Sequence, residues 1–111
     1  MAKQAVFTQD GKTLDMTLTA DVSVGDVVVE GDFVGIANNA GLTGEVVAVH
    51  VDGVWKMNAR TADAIAVGSA LYWDDVNDEL TIVTTGNKKA GLAVSSKAAA
   101  TAGTVLVKIG A

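Results

Sequence analysis

Residues 13–19 read TLDMTLT, and this stretch decides the fold class. Leu14, Met16 and Leu18 alternate with Thr13, Asp15, Thr17 and Thr19. A two-residue period of this kind marks a strand with one face buried and the other wet. The same alternation returns in EVVAVHVD (45–52), where Val47, Val49 and Val51 share a face opposite Val46, Ala48 and His50. In the C-terminal TVLVKIG, Val105, Val107 and Ile109 lie on one side and Leu106 and Lys108 on the other.

Shorter apolar runs fill the spaces between these strands. They are QAVFT (4–8), DVVVE (26–30), FVGIA (33–37), GVWKM (53–57), ALYW (70–73), LTIVT (80–84) and AGLAVS (90–95). Turn-forming residues separate them: Gln9-Asp10-Gly11-Lys12, Glu30-Gly31-Asp32, Asp52-Gly53 and the looser NNAGLTG (38–44). The Asp10-Gly11 pair suits a tight hairpin between the first two strands. About ten short strands at this spacing predict an all-β fold, a small sandwich or barrel spanning residues 1–111 as one domain. ARTADAIA (59–66) is expected to supply one helical turn, and SSKAAATAG (95–103), which lacks an apolar stripe, a mobile loop.

A weak internal echo accompanies the pattern. VSVGDVVV (22–29) aligns with IAVGSALY (65–72), matching Val24-Gly25 with Val67-Gly68. Each precedes a glycine-led strand, GEVVAV at 44 and GLAVSS at 91. A twofold arrangement of similar β units would explain it.

Half of the 111 residues are apolar, but Ala and Val dominate; there are two Phe, two Trp and one Tyr. The core is expected to be thin, so burial between subunits would add to burial within one. The chain contains no cysteine, which excludes disulfides and thiolate chemistry. No apolar run is long enough to span a membrane, and MAKQAVFTQDGK has no signal-like apolar stretch, so a soluble protein made in the cytosol is expected. The net charge is −5, and the eight basic residues are scattered apart from Lys88-Lys89. Nucleic acid is therefore an unsuitable direct partner, because displacing its counterions requires clustered cations.

Motifs for chemistry are sparse. His50 is the only histidine and lies mid-strand, without a nucleophile elbow nearby. TTGNKKAG (84–91) has glycines and lysines but not the phosphate-loop spacing. Asp74, Asp75, Asn77, Asp78 and Glu79 gather possible calcium ligands, yet the spacing fails the known calcium loop. A hairpin turn closed by Asx side chains accounts for them more simply. Tyr72 and Trp73 are adjacent, so a strand turns them to opposite faces and they cannot form one sugar platform. An exposed ring there would anchor a subunit contact instead. No catalytic, cofactor-binding or metal site is expected.

Read in order, VGDVVVEGDFVGIA (24–37), GEVVAVHVDGVWKM (44–57), IAVGSALYWDD (65–75), TTGNKKAGLAV (84–94) and GTVLVKI (103–109) resemble the small tailed-phage capsid cement, or head-decoration, proteins. The most specific parts are Tyr72-Trp73-Asp74 after Val67-Gly68, and Gly86-Asn87 before Gly91. The resemblance implies a non-enzymatic virion protein that binds major capsid protein on the outer shell. It also implies a homotrimer at three-fold positions that holds the shell against internal DNA pressure. On that reading Lys3, Gln4, Ala5, Val6 and Phe7 form an arm or edge strand, and with Trp55, Tyr72 and Trp73 they contact capsid or a neighbouring subunit. The alternative is a β-sandwich module that binds carbohydrate or calcium.

Overall fold

The computed structural model describes Ala5 and residues 11–110. Among these residues there are nine strands and no helix. They are β1 (Thr13–Thr17), β2 (Val27–Glu30), β3 (Phe33–Ala37), β4 (Val46–His50), β5 (Gly53–Ala59), β6 (Ala70–Asp74), β7 (Glu79–Thr81), β8 (Lys88–Ala93) and β9 (Gly103–Ile109). The first four form an open sheet in the order β1-β4-β3-β2, and the last five close into a barrel, β5-β7-β6-β8-β9. The strand expected at 4–8 and the Gln9-Asp10 part of the first turn lie outside the described residues.

Alternation places the core where it was expected. Met16, Leu18, Val47, Val49 and Val51 are buried in the open sheet, while Val105, Val107 and Ile109 are almost wholly buried in the barrel. Each such side chain contributes about 1.5–3 kcal/mol by leaving water. β2 joins the two cores, because Val28 packs with Met16 and Val49 whereas Val27 and Val29 face the barrel cluster of Leu71, Trp73 and Ile109.

The internal echo proves to be a repeat of the whole ladder. β1 pairs with β4, β4 with β3 and β3 with β2; likewise β5 pairs with β9, β9 with β8 and β8 with β6, all antiparallel. Registers correspond as well: Met16 faces Val47 and Met57 faces Val105, while Leu14 faces Val49 and Trp55 faces Val107. Outside the strands, the Val22–Gly41 bridge answers the Ile65–Lys97 bridge. The offset is 43 residues between Val22 and Ile65 but 56 between Gly35 and Gly91. The extra length falls between β6 and β8, which is where β7 sits.

One turn recurs at equivalent places. Gly25 (φ 88°) donates its N–H to Ala37 O at 3.0 Å, and Gly68 (φ 87°) donates to Ala93 O at 2.7 Å. Each ends in a side chain that caps its own first N–H, Asp26 on Ser23 at 2.8 Å and Ser69 on Ala66 at 3.3 Å. Gly44 (φ 89°) occupies the same place before β4, with Glu45 capping Leu42. Before β9 the left-handed position is held by Ala100 (φ 57°), a conformation that costs any residue with a Cβ.

Three expectations need correction. The counterpart of Gly91 is Gly35, and that of Gly44 is Ala100, so the strands led by Gly44 and Gly91 stand one strand apart in the repeat. Residues 59–66 hold a single Asp63 N–H to Arg60 O turn of 3.2 Å and no helix, because Ile65 is drawn into its bridge with Lys97. Residues 95–102 form a loop pinned by Lys97, whose ammonium is buried beneath it, and Gly103 already belongs to β9.

Candidate functional site

The hairpin at 70–81 is built by its own acidic residues. β6 and β7 pair from Tyr72–Thr81 to Asp74–Glu79, leaving Asp75, Val76, Asn77 and Asp78 as the connection. The Asp74 carboxylate accepts the Val76 N–H at 3.0 Å, the Asn77 N–H at 3.2 Å and the Asn77 side-chain amide at 2.8 Å. Those donors, led by the Asn77 amide, hold its acidity below the ordinary carboxylate range. Asp78 takes a left-handed backbone (φ 53°), which short Asx side chains tolerate better than most. Among the described residues no group of three or more His, Cys, Asp or Glu is arranged to hold a metal.

The aromatic pair divides between faces. Trp73 is 7% exposed and points into the barrel core, with its indole N–H 3.4 Å from Asp75 Oδ1. Tyr72 is half-buried on the other face, beside the irregular register between Leu71 and Tyr72. Trp55 is half-buried, donates its indole N–H to Asp52 O at 3.0 Å, and tilts against the His50 ring at a centroid distance of 5.2 Å. Trp55 and Trp73 meet at a recess of about 280 Å³ between the two halves, which Met57 and Asp78 also line. Tyr72 does not reach it. Ala5 is exposed, and Lys3, Gln4, Val6 and Phe7 lie outside the described residues.

His50 has the surroundings of a structural residue. Its Nε2 lies 2.9 Å from Asn38 Oδ1 and its Nδ1 3.4 Å from Thr13 Oγ1. The remaining pairs tie strand ends together. Asp32 is held below the usual carboxylate range by hydrogen bonding to Lys88 at 2.8 Å and by its charge. Asp52 is lowered by the Gly53 N–H first and then by Lys108 at 3.2 Å.

Sequence reading missed a buried polar lock. Lys97 is 8% exposed and its ammonium donates to the backbone carbonyls of Thr61 (3.1 Å), Asp63 (2.8 Å) and Ala98 (3.0 Å). All three of its donors are thereby used. Buried Asp63 in turn accepts Thr81 Oγ1 at 2.6 Å and the Ile82 N–H at 3.1 Å, which ends β7 at Thr81 and leaves Ile82 and Val83 outside the ladder. A lone lysine within SSKAAA carries no periodicity that would announce burial.

The outer surface carries the remaining signal. On one face of the barrel, Val54 (56% exposed) lies diagonally from Leu106 (40%), the two standing opposite Lys108 and Lys56 respectively, and Val94 (43%) follows because its N–H donates to Leu106 O. The polar clusters close turns, and the exposed apolar residues face outward on rigid strands. Together they describe an all-β protein whose polar side chains serve the fold and whose strands present apolar residues outward. The chain belongs to the phage cement protein family, whose sequence model matches residues 8–109. It is thus a structural, capsid-binding protein of the virion. The match covers the hairpin and both Trp residues and begins beyond Lys3–Phe7. No curated protein and no solved structure matches the chain.

Proposed function

We propose that this cement protein acts as a homotrimer on the outer face of the shell, at three-fold positions, and holds neighbouring capsid subunits together against the pressure of packaged DNA. The family match over 8–109 carries this reading. The exposed Val54–Leu106–Val94 face supports it, because outward apolar side chains set among Lys56 and Lys108 on a rigid sheet suit a protein contact. Symmetry multiplies modest contacts of this kind, so a trimer needs no single strong site. Synthesis in the host cytoplasm precedes assembly, and the role requires no catalysis and no cofactor. Lys3, Gln4, Ala5, Val6 and Phe7 act as a capsid- or subunit-contacting arm, with Trp55, Tyr72 and Trp73 supporting the contact surface.

Sedimentation equilibrium together with titration onto purified mature heads tests the proposal. A species of three times the chain mass, saturable binding at a fixed ratio per capsid subunit, and DNA retained to higher temperature are expected. A protein that stays monomeric both in solution and on heads, or decorated heads that lose DNA at the same temperature as bare ones, would sink it.

A further inference from the structure

β2 ends the open sheet, so among the described residues one of its edges pairs with nothing. The Ala37 N–H to Asp26 O bond sets the phase of the β2–β3 ladder. Counting from it, Val27 and Val29 turn their N–H and C=O groups to the open edge. The later part of the corresponding edge of β6 is covered by β7, which pairs along it from Tyr72 to Asp74, the counterparts of Val29 to Gly31, and touches β5 at Ala59–Leu80. The second half therefore shows what the geometry of this edge accepts: a short strand whose central side chain, Leu80, is fully buried.

A groove runs along the β2 edge. One part, about 370 Å³, has Val22, Val27 and Trp73 for its floor and Asp21, Asp26 and Asp78 around it. It continues past Val29 and Leu18 to Asp75. The floor is apolar and the charged residues around it are carboxylates, in a chain of net charge −5.

We propose that this groove receives an extended, lysine- or arginine-bearing segment of the capsid shell protein, added to β2 as a further strand. Backbone pairing to Val27 and Val29 supplies the alignment, an apolar side chain fills the floor as Leu80 does in the barrel, and the carboxylates select cationic flanks. The inference rests on the capsid-binding role and adds to it the face used and the chemistry of the segment.

Full-length protein and purified heads provide the test. D75N/D78N removes two charges while keeping residues that suit the turn, and Val29→Pro removes one edge N–H and obstructs an incoming strand. With folding verified by melting, D75N/D78N is expected to bind heads several-fold more weakly at low salt and to lose much of the salt dependence of the wild type. Val29→Pro is expected to bind at least tenfold more weakly at any salt. Wild-type binding with both variants unimpaired overturns the groove and leaves the cement role standing. Unimpaired binding accompanied by a lower melting temperature, reproduced by deleting residues 1–8, would assign the groove to the chain's own N-terminal segment and also overturn the proposal. Failure of the wild type to bind heads removes the capsid-binding role itself.

Discussion

The two halves of the chain share a ladder and differ in closure. From β1 to β4 and from β5 to β9 the pairings correspond strand for strand, down to Met16 opposite Val47 and Met57 opposite Val105. Yet the first half is an open sheet and the second a barrel. The difference comes from one insertion, the hairpin that turns back after β6 and lays β7 between β6 and β5. The tight turn at Gly31 joins β2 straight to β3 and leaves no chain for that purpose. Closure in this architecture is decided by a connection, while the core-forming strands are indifferent to it.

The largest expected effect separates the halves at their paired glycines. A Cβ at Gly91 would overlap the backbone carbonyl of Lys108, within the closed barrel. A Cβ at Gly35 would meet Val49 Cγ1 at 2.5 Å and His50 O at 2.7 Å, in a sheet that is open among the described residues. Gly91→Ala is expected to cost about 3 kcal/mol and Gly35→Ala about 1–2 kcal/mol, since an open sheet can shift where a closed one cannot. Urea denaturation of both variants checks the order, and equal losses would break the distinction between open and closed halves.

A second test lies in the polar lock that, among the described residues, the barrel half alone possesses. At the equivalent bridge position the first half has Gly41, pressed against Leu18 and Val47, and the second has Lys97. Lys97→Ala leaves three carbonyls without their donor and is expected to lower stability by about 2–3 kcal/mol. If the urea midpoint stays within error of the wild type, water replaces the ammonium and the lock is dispensable.

The smallest effect should be a gain. Three of the four recurrent turns place glycine at the left-handed position, and the fourth places Ala100 there. Ala100→Gly is expected to stabilise by about 1 kcal/mol, and Gly44→Ala, at its counterpart in the first half, to lose a similar amount. Thermal denaturation of the pair sharpens the comparison, because opposite signs at matched positions can only come from backbone conformation.

Much of this was legible in the residues. Alternation identified the strand of TLDMTLT, both faces of VVAVH and the inward Val105, Val107 and Ile109, because a period of two survives whatever the strands pair with. The Asx character of DDVND announced a turn. Pairing partners were not legible, since Gly44 and Gly91 look alike locally and only tertiary register shows that they sit one strand apart. LTIVT reads as a strand through Thr84 but ends at Thr81, where Asp63, eighteen positions upstream, captures the next N–H. Burial of Lys97 likewise depends on carbonyls contributed by another loop. Of the contact residues expected, Trp55 and Trp73 share a recess and Tyr72 lies on the opposite face, a split that strand alternation already contained.

The carboxylates beside the β2 edge bear on how the protein meets copies of itself. A strand edge that pairs with nothing among the described residues invites copies to zip together into aggregates at high concentration. Edge-to-edge approach of two copies would bring Asp21, Asp26, Asp75 and Asp78 up against the same residues of the other chain. Like charges at that distance repel, and a shell segment bearing cations would not. Self-avoidance and recognition are then the same electrostatic filter, so a variant neutralised there should precipitate sooner than it should unfold.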